Sequence, residues 1–300
     1  MDAAAFRTGL VAVVGRPNVG KSTLINALIG EKVSITSAKP QTTRHRVLGV
    51  RTEADAQFVF IDTPGFQRKH RSLLTRRMND SVRRTLAEVD AVVLVIEAGG
   101  WRREDEEVLA LLPREADSAA RVVLAVNKTD LLRERGALLP LLAQSMQRYP
   151  FGAVVPVSAE KSRQLDDLLG ELRKRLPEGE PLFEADQYTD RPVRFLAAEL
   201  IREKAYRLLG DELPYGIAVT IDRWDETESG VDIAATLVVE REAHKPIVIG
   251  EGGAKLREIG RLARLDMQHM LDKRVHLETW VRVRKGWSDD PRSLKTLGYD

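Results

Sequence analysis

The sequence predicts an α/β architecture: a doubly wound, mostly parallel-sheet domain followed by a smaller α+β domain. Three observations carry that prediction. Short apolar runs alternate with helical patterns through the first half of the 300 residues. The segment Pro177-Glu178-Gly179-Glu180-Pro181, rich in breakers and charge, ends the alternation and reads as a linker. After Pro192 the order becomes helix, strand, strand, helix, helix, strand. A chain of this length suits two cores better than one, and we expect the domains to span 1–180 and 181–300.

The first-half strands are expected at Leu10–Val14, Arg46–Arg51, Phe58–Ile61, Ala91–Glu97, Val122–Val126 and Val154–Val157. Wholly apolar runs such as Val92–Ile96 fit parallel strands covered on both faces. Helical patterns fill the gaps at Ser22–Leu28, Leu73–Val89, Arg103–Leu112, Leu138–Met146 and Leu165–Leu176. In the second half, helices are expected at Val193–Leu209, Pro246–Ile249 and Lys255–Leu271. Strands are expected at Ile217–Arg223, Val231–Glu240 and Val275–Arg284. Trp287, Tyr299 and the tail between them are expected to pack on this second domain.

Composition narrows the class. Apolar residues make up 43% and charged residues 31%, as in globular proteins rather than disordered or fibrous ones. There is no cysteine, which excludes disulfides and thiolate metal sites. Met1-Asp2 does not open a leader pattern, and no apolar run approaches the roughly 20 residues that cross a bilayer. Net charge is +2. Residues 1–180 hold 28 basic and 23 acidic side chains, a net of +5, and 181–300 hold 19 and 22, a net of −3. Within the second half, 181–240 hold 6 basic and 13 acidic residues, whereas 241–285 hold 11 and 6. That local basic stretch reads either as a polyanion-facing surface or as an ordinary mixed-charge one.

Gly15-Arg16-Pro17-Asn18-Val19-Gly20-Lys21-Ser22 fits the G-x-x-x-x-G-K-[ST] phosphate loop, followed by Thr23. It leaves an apolar strand and opens a helix, the context the motif needs. Backbone N–H groups and the helix N-terminus would cradle phosphates of GTP or GDP. Lys21 would reach the β- and γ-phosphates, and the Ser22 hydroxyl would bind Mg²⁺. Asp62-Thr63-Pro64-Gly65 follows a strand end, where open α/β sheets bind ligands. Asp62 would hold Mg²⁺ through water, and the Gly65 N–H would sense the γ-phosphate. Asp167–Gly170 also fits D-x-x-G, but it lies in a helical pattern.

Asn127-Lys128-Thr129-Asp130 names the base. The Asp130 carboxylate can accept from guanine N1–H and the exocyclic amine, whereas adenine would leave it buried and unpaired. Lys128 would lie along the base and Asn127 would brace the loop. Ser158-Ala159, after the sixth strand, would offer a backbone N–H to guanine O6. Gln41-Thr42-Thr43-Arg44 lies where a γ-phosphate switch loop belongs, with Thr43 the expected Mg²⁺ ligand and Thr42 the alternative. Lys21, Thr43 and Gly65 are thus the expected catalytic groups.

With these motifs, the segments Ser34-Ile35-Thr36-Ser37 and Gln41-Thr42-Thr43-Arg44-His45-Arg46 make the chain resemble the translation-factor-related GTPases, and among them the Era family. The resemblance covers nearly the whole chain. It supports the guanine site at Asn127–Asp130 with Ser158-Ala159 as the weaker base contact. The residue after Gly65 is Phe66, where small signalling GTPases place a water-orienting glutamine. The resemblance therefore implies a hydrophobic-substituted GTPase with slow intrinsic turnover that depends on a partner or a monovalent cation. It also marks Asn18 as a candidate K⁺ ligand.

In the second domain, Gly250-Glu251-Gly252-Gly253 lies between two helices inside the basic stretch. This order resembles a type II KH domain, the type with its extra helix at the N-terminus. A turn without side chains lets the backbone approach the phosphates of about four nucleotides. Lys255, Arg257, Arg261 and Arg264 can add positive charge, and Arg282 and Arg284 share one strand face. Ile249, Leu256 and Ile259 read as core. Glu251 departs from the pattern, since related loops often carry a basic residue there. By resemblance, the RNA is the 3′ end of 16S ribosomal RNA in an immature small (30S) subunit. The resemblance implies a cytoplasmic, monomeric factor in ribosome assembly. The rival reading is a GTPase whose KH-like domain binds protein. A weaker one adds a peripheral role at the inner face of the cell membrane.

Overall fold

The computed structural model describes residues 5–37, 39, 41–67, 72–210 and 216–299. Met1 and Asp2, which bore on the leader, lie outside them. The chain divides into two compact units. One comprises 1–34, 43–70 and 78–190; the other comprises 35–42, 71–77 and 191–300.

The first unit is built on six strands: β1 (Arg7–Val14), β2 (Val47–Thr52), β3 (Ala56–Asp62), β4 (Ala91–Glu97), β5 (Val122–Asn127) and β6 (Ala153–Pro156). Their order is β2-β3-β1-β4-β5-β6. β2 and β3 run antiparallel, and every other neighbouring pair is parallel. Helices α1 (Lys21–Ile29), α2 (Leu73–Glu88), α3 (Arg103–Leu109), α4 (Ala116–Ala119), α5 (Leu138–Arg148) and α6 (Leu165–Arg173) connect the strands.

The period-2 alternation of the strands creates two cores. Val11, Val13, Phe58, Phe60, Val93 and Val95 face Leu24, Leu28, Leu168 and Leu172 of α1 and α6. Their sequence neighbours Ala12, Val14, Ile61, Val92, Leu94 and Ile96 face the opposite way, toward Val82, Val108 and Leu141 of α2, α3 and α5. Both faces being covered explains why these strands read as continuous apolar runs. Each fully buried Val, Leu or Ile contributes roughly 1.5–3 kcal/mol.

The breaker-rich stretch packs along the first unit. Thr8 N–H donates to Pro177 O and Gly179 N–H to Phe6 O. Further on, the Gln57 side chain accepts from Leu182 and Phe183 N–H, and Thr189 Oγ1 donates to Leu48 O at 2.7 Å. The division between the compact units falls after Asp190.

The second unit contains α7 (Val193–Leu208), β7 (Ile217–Thr227), β8 (Gly230–Val239), α8 (His244–Ile249), α9 (Ala254–Leu271), β9 (Arg274–Val283) and α10 (Pro291–Thr296). The sheet order is β7-β8-β9, with β7 antiparallel and β9 parallel to β8. Ile233, Ala235, Leu237 and Val239 face a helical layer that includes Leu200 and Ile201 of α7 and Ile259, Ala263 and Met267 of α9. Trp287 is fully buried, donates Nε1–H to Gly216 O at 3.1 Å and stacks on Tyr299. β7 runs four residues beyond Arg223 because the polar run after it pairs with the start of β8.

Candidate nucleotide site and nucleic-acid interface

The phosphate loop leaves β1 at Val14 and enters α1 at Lys21. Gly20 has φ 96°, and a Cβ there would lie 2.4 Å from Asn127 Nδ2. Both conditions demand glycine. Gly20 also caps α1 without a side chain, so the first helical amides remain available to an anion. Lys21 is buried, and its Nζ donates to Gly15 O and Arg16 O at 3.1 Å each. Burial pushes its pKa down to about 8, although Asp62 pulls the other way.

Asp62, at the end of β3, is fully buried. Its Oδ2 accepts from Ser22 Oγ at 2.8 Å and from Thr43 Oγ1 at 3.1 Å, and the two hydroxyls lie 2.8 Å apart. Its Oδ1 has no hydrogen bond. Burial raises the Asp62 carboxyl, while Lys21 and the hydroxyls oppose that rise. Two hydroxyls and a carboxylate with an unsatisfied oxygen form the donor set of a hard divalent cation, so the residues present fit Mg²⁺. Thr43, not Thr42, joins this cluster; the Thr42 hydroxyl donates to Lys39 O at 2.7 Å. Thr63 Oγ1 donates to Val13 O at 2.7 Å, which fixes the start of the turn through Pro64. A Cβ on Gly65 would come within 2.9 Å of the Pro17 backbone. Phe66 is buried in the sheet core beneath the Arg83 guanidinium.

The base loop follows β5. Asn127 Nδ2 donates to Val19 O at 2.9 Å, and its Oδ1 accepts from Ala159 N–H at 3.0 Å. Lys128 takes a left-handed φ of 65°, and its Nζ donates to Asn18 O at 2.7 Å. Asp130 Oδ1 accepts from Ser158 Oγ at 2.5 Å. The Ser158 N–H donates to Arg163 O. The Ser158 hydroxyl and Ala159 amide therefore brace the loop in this structure. Asp167–Gly170 lies inside α6, not at the end of a strand.

Sequence reasoning missed one group. Glu97 Oε2 accepts from Arg16 Nη2 at 2.6 Å, and Oε1 accepts from Lys128 Nζ. Arg16 Nε also donates to the buried Asp105 at 3.3 Å. Burial would raise the Glu97 carboxyl, but hydrogen bonds from Lys128 and Arg16 outweigh it and hold the group below its usual range. The available signal was its place at the C-terminal end of an apolar strand.

In the second unit, Gly250, Gly252 and Gly253 have φ 75°, 53° and 79°. They turn the chain sharply from α8 into α9. Glu251 and Gly252 are exposed, and open space surrounds the Gly252 position. Arg261 forms two 2.8 Å hydrogen bonds to Glu258, and Arg264 Nη1 donates to Gln268 at 3.4 Å. Lys255 and Arg257 flank the turn: their atoms are the nearest to a Cβ built on Gly250 and on Gly253, respectively. Ile259 is fully buried and Leu256 packs on the same core, whereas Ile247 is 44% exposed. Ile247 and the half-exposed Trp280 add apolar surface that the sequence reading did not single out.

Residues 10–128 match the 50S ribosome-binding GTPase family and residues 212–288 match the KH domain family. The chain is thus a P-loop GTPase that carries a KH domain. The GTPase Era of Bordetella avium is 56% identical over 300 residues, 100% of both chains. That of Xanthomonas axonopodis pv. citri is 53% identical over 294 residues, 98% of this chain and 97% of the other. Crystal structures of an Aquifex aeolicus Era variant bound to GDP·AlF4⁻ and of Era in complex with MgGDPNP and nucleotides 1506–1542 of 16S ribosomal RNA are also similar. Their TM-scores are 0.93 and 0.94, each at 40% identity over 98% of this chain and 99% of theirs. The chain belongs to the Era family of GTPases.

Proposed function

We propose that this GTPase is a GTP-controlled RNA-binding switch that binds the 3′ end of 16S ribosomal RNA and acts in assembly of the 30S subunit. The observation that carries the reading is a pairing on one chain. A Ser22–Thr43–Asp62 cluster around a fully buried carboxylate, beside an open helix N-terminus, accompanies a glycine-rich turn between two helices. Era proteins similar over their full length add support, one of them in complex with nucleotides 1506–1542 of 16S ribosomal RNA.

Each residue has a defined task. Asp130 reads guanine, and Lys128 flanks the base. Lys21 meets the β- and γ-phosphates. Ser22, Thr43 and Asp62 would hold Mg²⁺. When bound, the metal neutralises charge that develops on the transferred phosphoryl group. The Gly65 N–H aims at the γ-phosphate. Phe66, which is buried, has no carboxamide to orient water, so intrinsic turnover is slow. Asn18 holds a K⁺ ion that supplies the missing positive charge; equal turnover in K⁺ and Na⁺ buffers would remove this part of the proposal. The exposed Gly250–Gly253 turn seats RNA phosphates, with Lys255 and Arg257 beside it. Under this reading the protein works in the cytoplasm as a monomer, which sedimentation velocity checks.

The direct test is binding of a labelled RNA matching the 16S 3′ end across a salt titration. Single-stranded RNA predicts a log–log slope of about −0.7 per neutralised phosphate. Absence of binding even at low salt would instead favour a protein partner for the KH domain.

A further inference from the structure

Glu97 belongs to none of the nucleotide-binding motifs, yet it touches two of them. It ends β4, at the edge of the sheet where β1 gives way to the phosphate loop and β5 to the base loop. Its side chain is 16% exposed. One carboxylate oxygen holds Arg16 of the phosphate loop at 2.6 Å, and the other holds Lys128 of the base loop. The network continues on both sides. Arg16 Nε reaches Asp105, which also accepts from Arg102 N–H at 2.9 Å and so fixes the start of α3. Lys128 Nζ returns to the phosphate loop through Asn18 O.

A guanine nucleotide must meet these two loops at once, with phosphates on one and base on the other. Arg and Lys side chains carry considerable rotamer freedom, and ordering them at the moment of binding weakens affinity. A shared carboxylate orders both beforehand. We propose that Glu97 is a positioning residue for the nucleotide, tying the phosphate loop to the base loop through Arg16 and Lys128 and so setting affinity for the intact guanine nucleotide. The inference rests on the nucleotide site described above and adds a residue that works through two others.

The test is a set of GDP-binding measurements on the full chain. Glu97→Gln keeps the size and removes the charge; GDP should bind roughly tenfold more weakly, the cost of two side chains ordered on binding. Glu97→Asp keeps the charge but is too short to span both loops. It should lose part of the affinity, and it guards against a folding defect in the first variant. The decisive readout is coupling. In the parent, the effects of Arg16→Met and Lys128→Met on GDP affinity should be non-additive, because the two share one carboxylate. In the Glu97→Gln background they should become additive. Undiminished affinity in both Glu97 variants, additivity in the parent, or coupling that persists without Glu97 would overturn the proposal. Failure of the parent to bind GDP would instead overturn the nucleotide site itself.

Discussion

The two ligand-facing regions of this molecule are built on opposite principles. The proposed nucleotide site is made of buried and half-buried polar side chains that hold one another: Ser22, Thr43 and Asp62 form a triangle, and Asp130 is braced by Ser158. The KH turn is made by removing side chains. Gly250, Gly252 and Gly253 expose backbone, and two basic residues stand beside them. The first design discriminates, because a wrong ligand leaves desolvated groups unpaired. The second, as an RNA platform, would admit any chain of phosphates of suitable shape, with an affinity that depends on salt. Substitutions should therefore act steeply in the first region and gradually in the second.

The steepest effect is expected at Asp130. If Asp130 reads guanine as proposed, Asp130→Asn removes two hydrogen bonds to a charged acceptor, each worth about 1.5–3 kcal/mol. GDP affinity should fall by a factor on the order of 10² to 10⁴. Isothermal titration should also show a gain for xanthine nucleotides, whose C2 carbonyl accepts from the new amide. Equal losses for both bases would break the discrimination argument.

A pair of glycine substitutions sharpens the contrast. Gly20→Ala meets both an unfavourable φ of 96° and an atom 2.4 Å away, so it should cost about 2–3 kcal/mol or more and lower the melting temperature. Gly252→Ala also has a positive φ but nothing within 4 Å. It should cost only about 1 kcal/mol while weakening RNA binding. Similar losses of stability in the two variants would contradict the comparison.

Proton linkage gives a smaller effect. Burial holds the Lys21 pKa down at about 8. Phosphates favour the ammonium, so bound Lys21 titrates higher. The Lys21 contribution to GDP affinity should be constant below pH 7.5 and should weaken above pH 8, by up to about tenfold per pH unit. A flat profile to pH 9.5 would show that Lys21 stays charged without ligand. The smallest change is Glu251→Lys. Replacing a repulsive charge with an attractive one at an exposed turn should tighten RNA binding several-fold and steepen its salt slope by about one unit.

Most of the architecture was legible because its signals are local. The strand-to-helix setting of Gly15–Ser22, the strand-end position of Asp62 and the run Asn127–Asp130 each sit within a few residues. The element order of the second unit followed from periodicity alone. What escaped depends on distance along the chain. Glu97 gains its meaning only when folding brings Arg16 and Lys128 to it, 81 and 31 residues away. The burial of Phe66 was likewise invisible, since its position after Gly65 says what it lacks and not where it points. The helix α10 was missed although it is signed: Asp290 caps it by accepting from Ser293 N–H at 2.8 Å, and Pro291 follows at its first turn. The extent of β7 was hidden by acidic residues that resemble a loop but pair across a hairpin.

Under the proposed function the two regions form one switch. Its most direct test is the affinity of an RNA matching the 16S 3′ end, measured with the protein loaded with a GTP analogue and again with GDP. One switch requires clearly tighter binding in the GTP-analogue state, at least tenfold, or about 1.4 kcal/mol of coupling. Equal affinity in the two states would contradict it, and would leave a GTPase and an RNA-binding domain that share a chain without controlling one another.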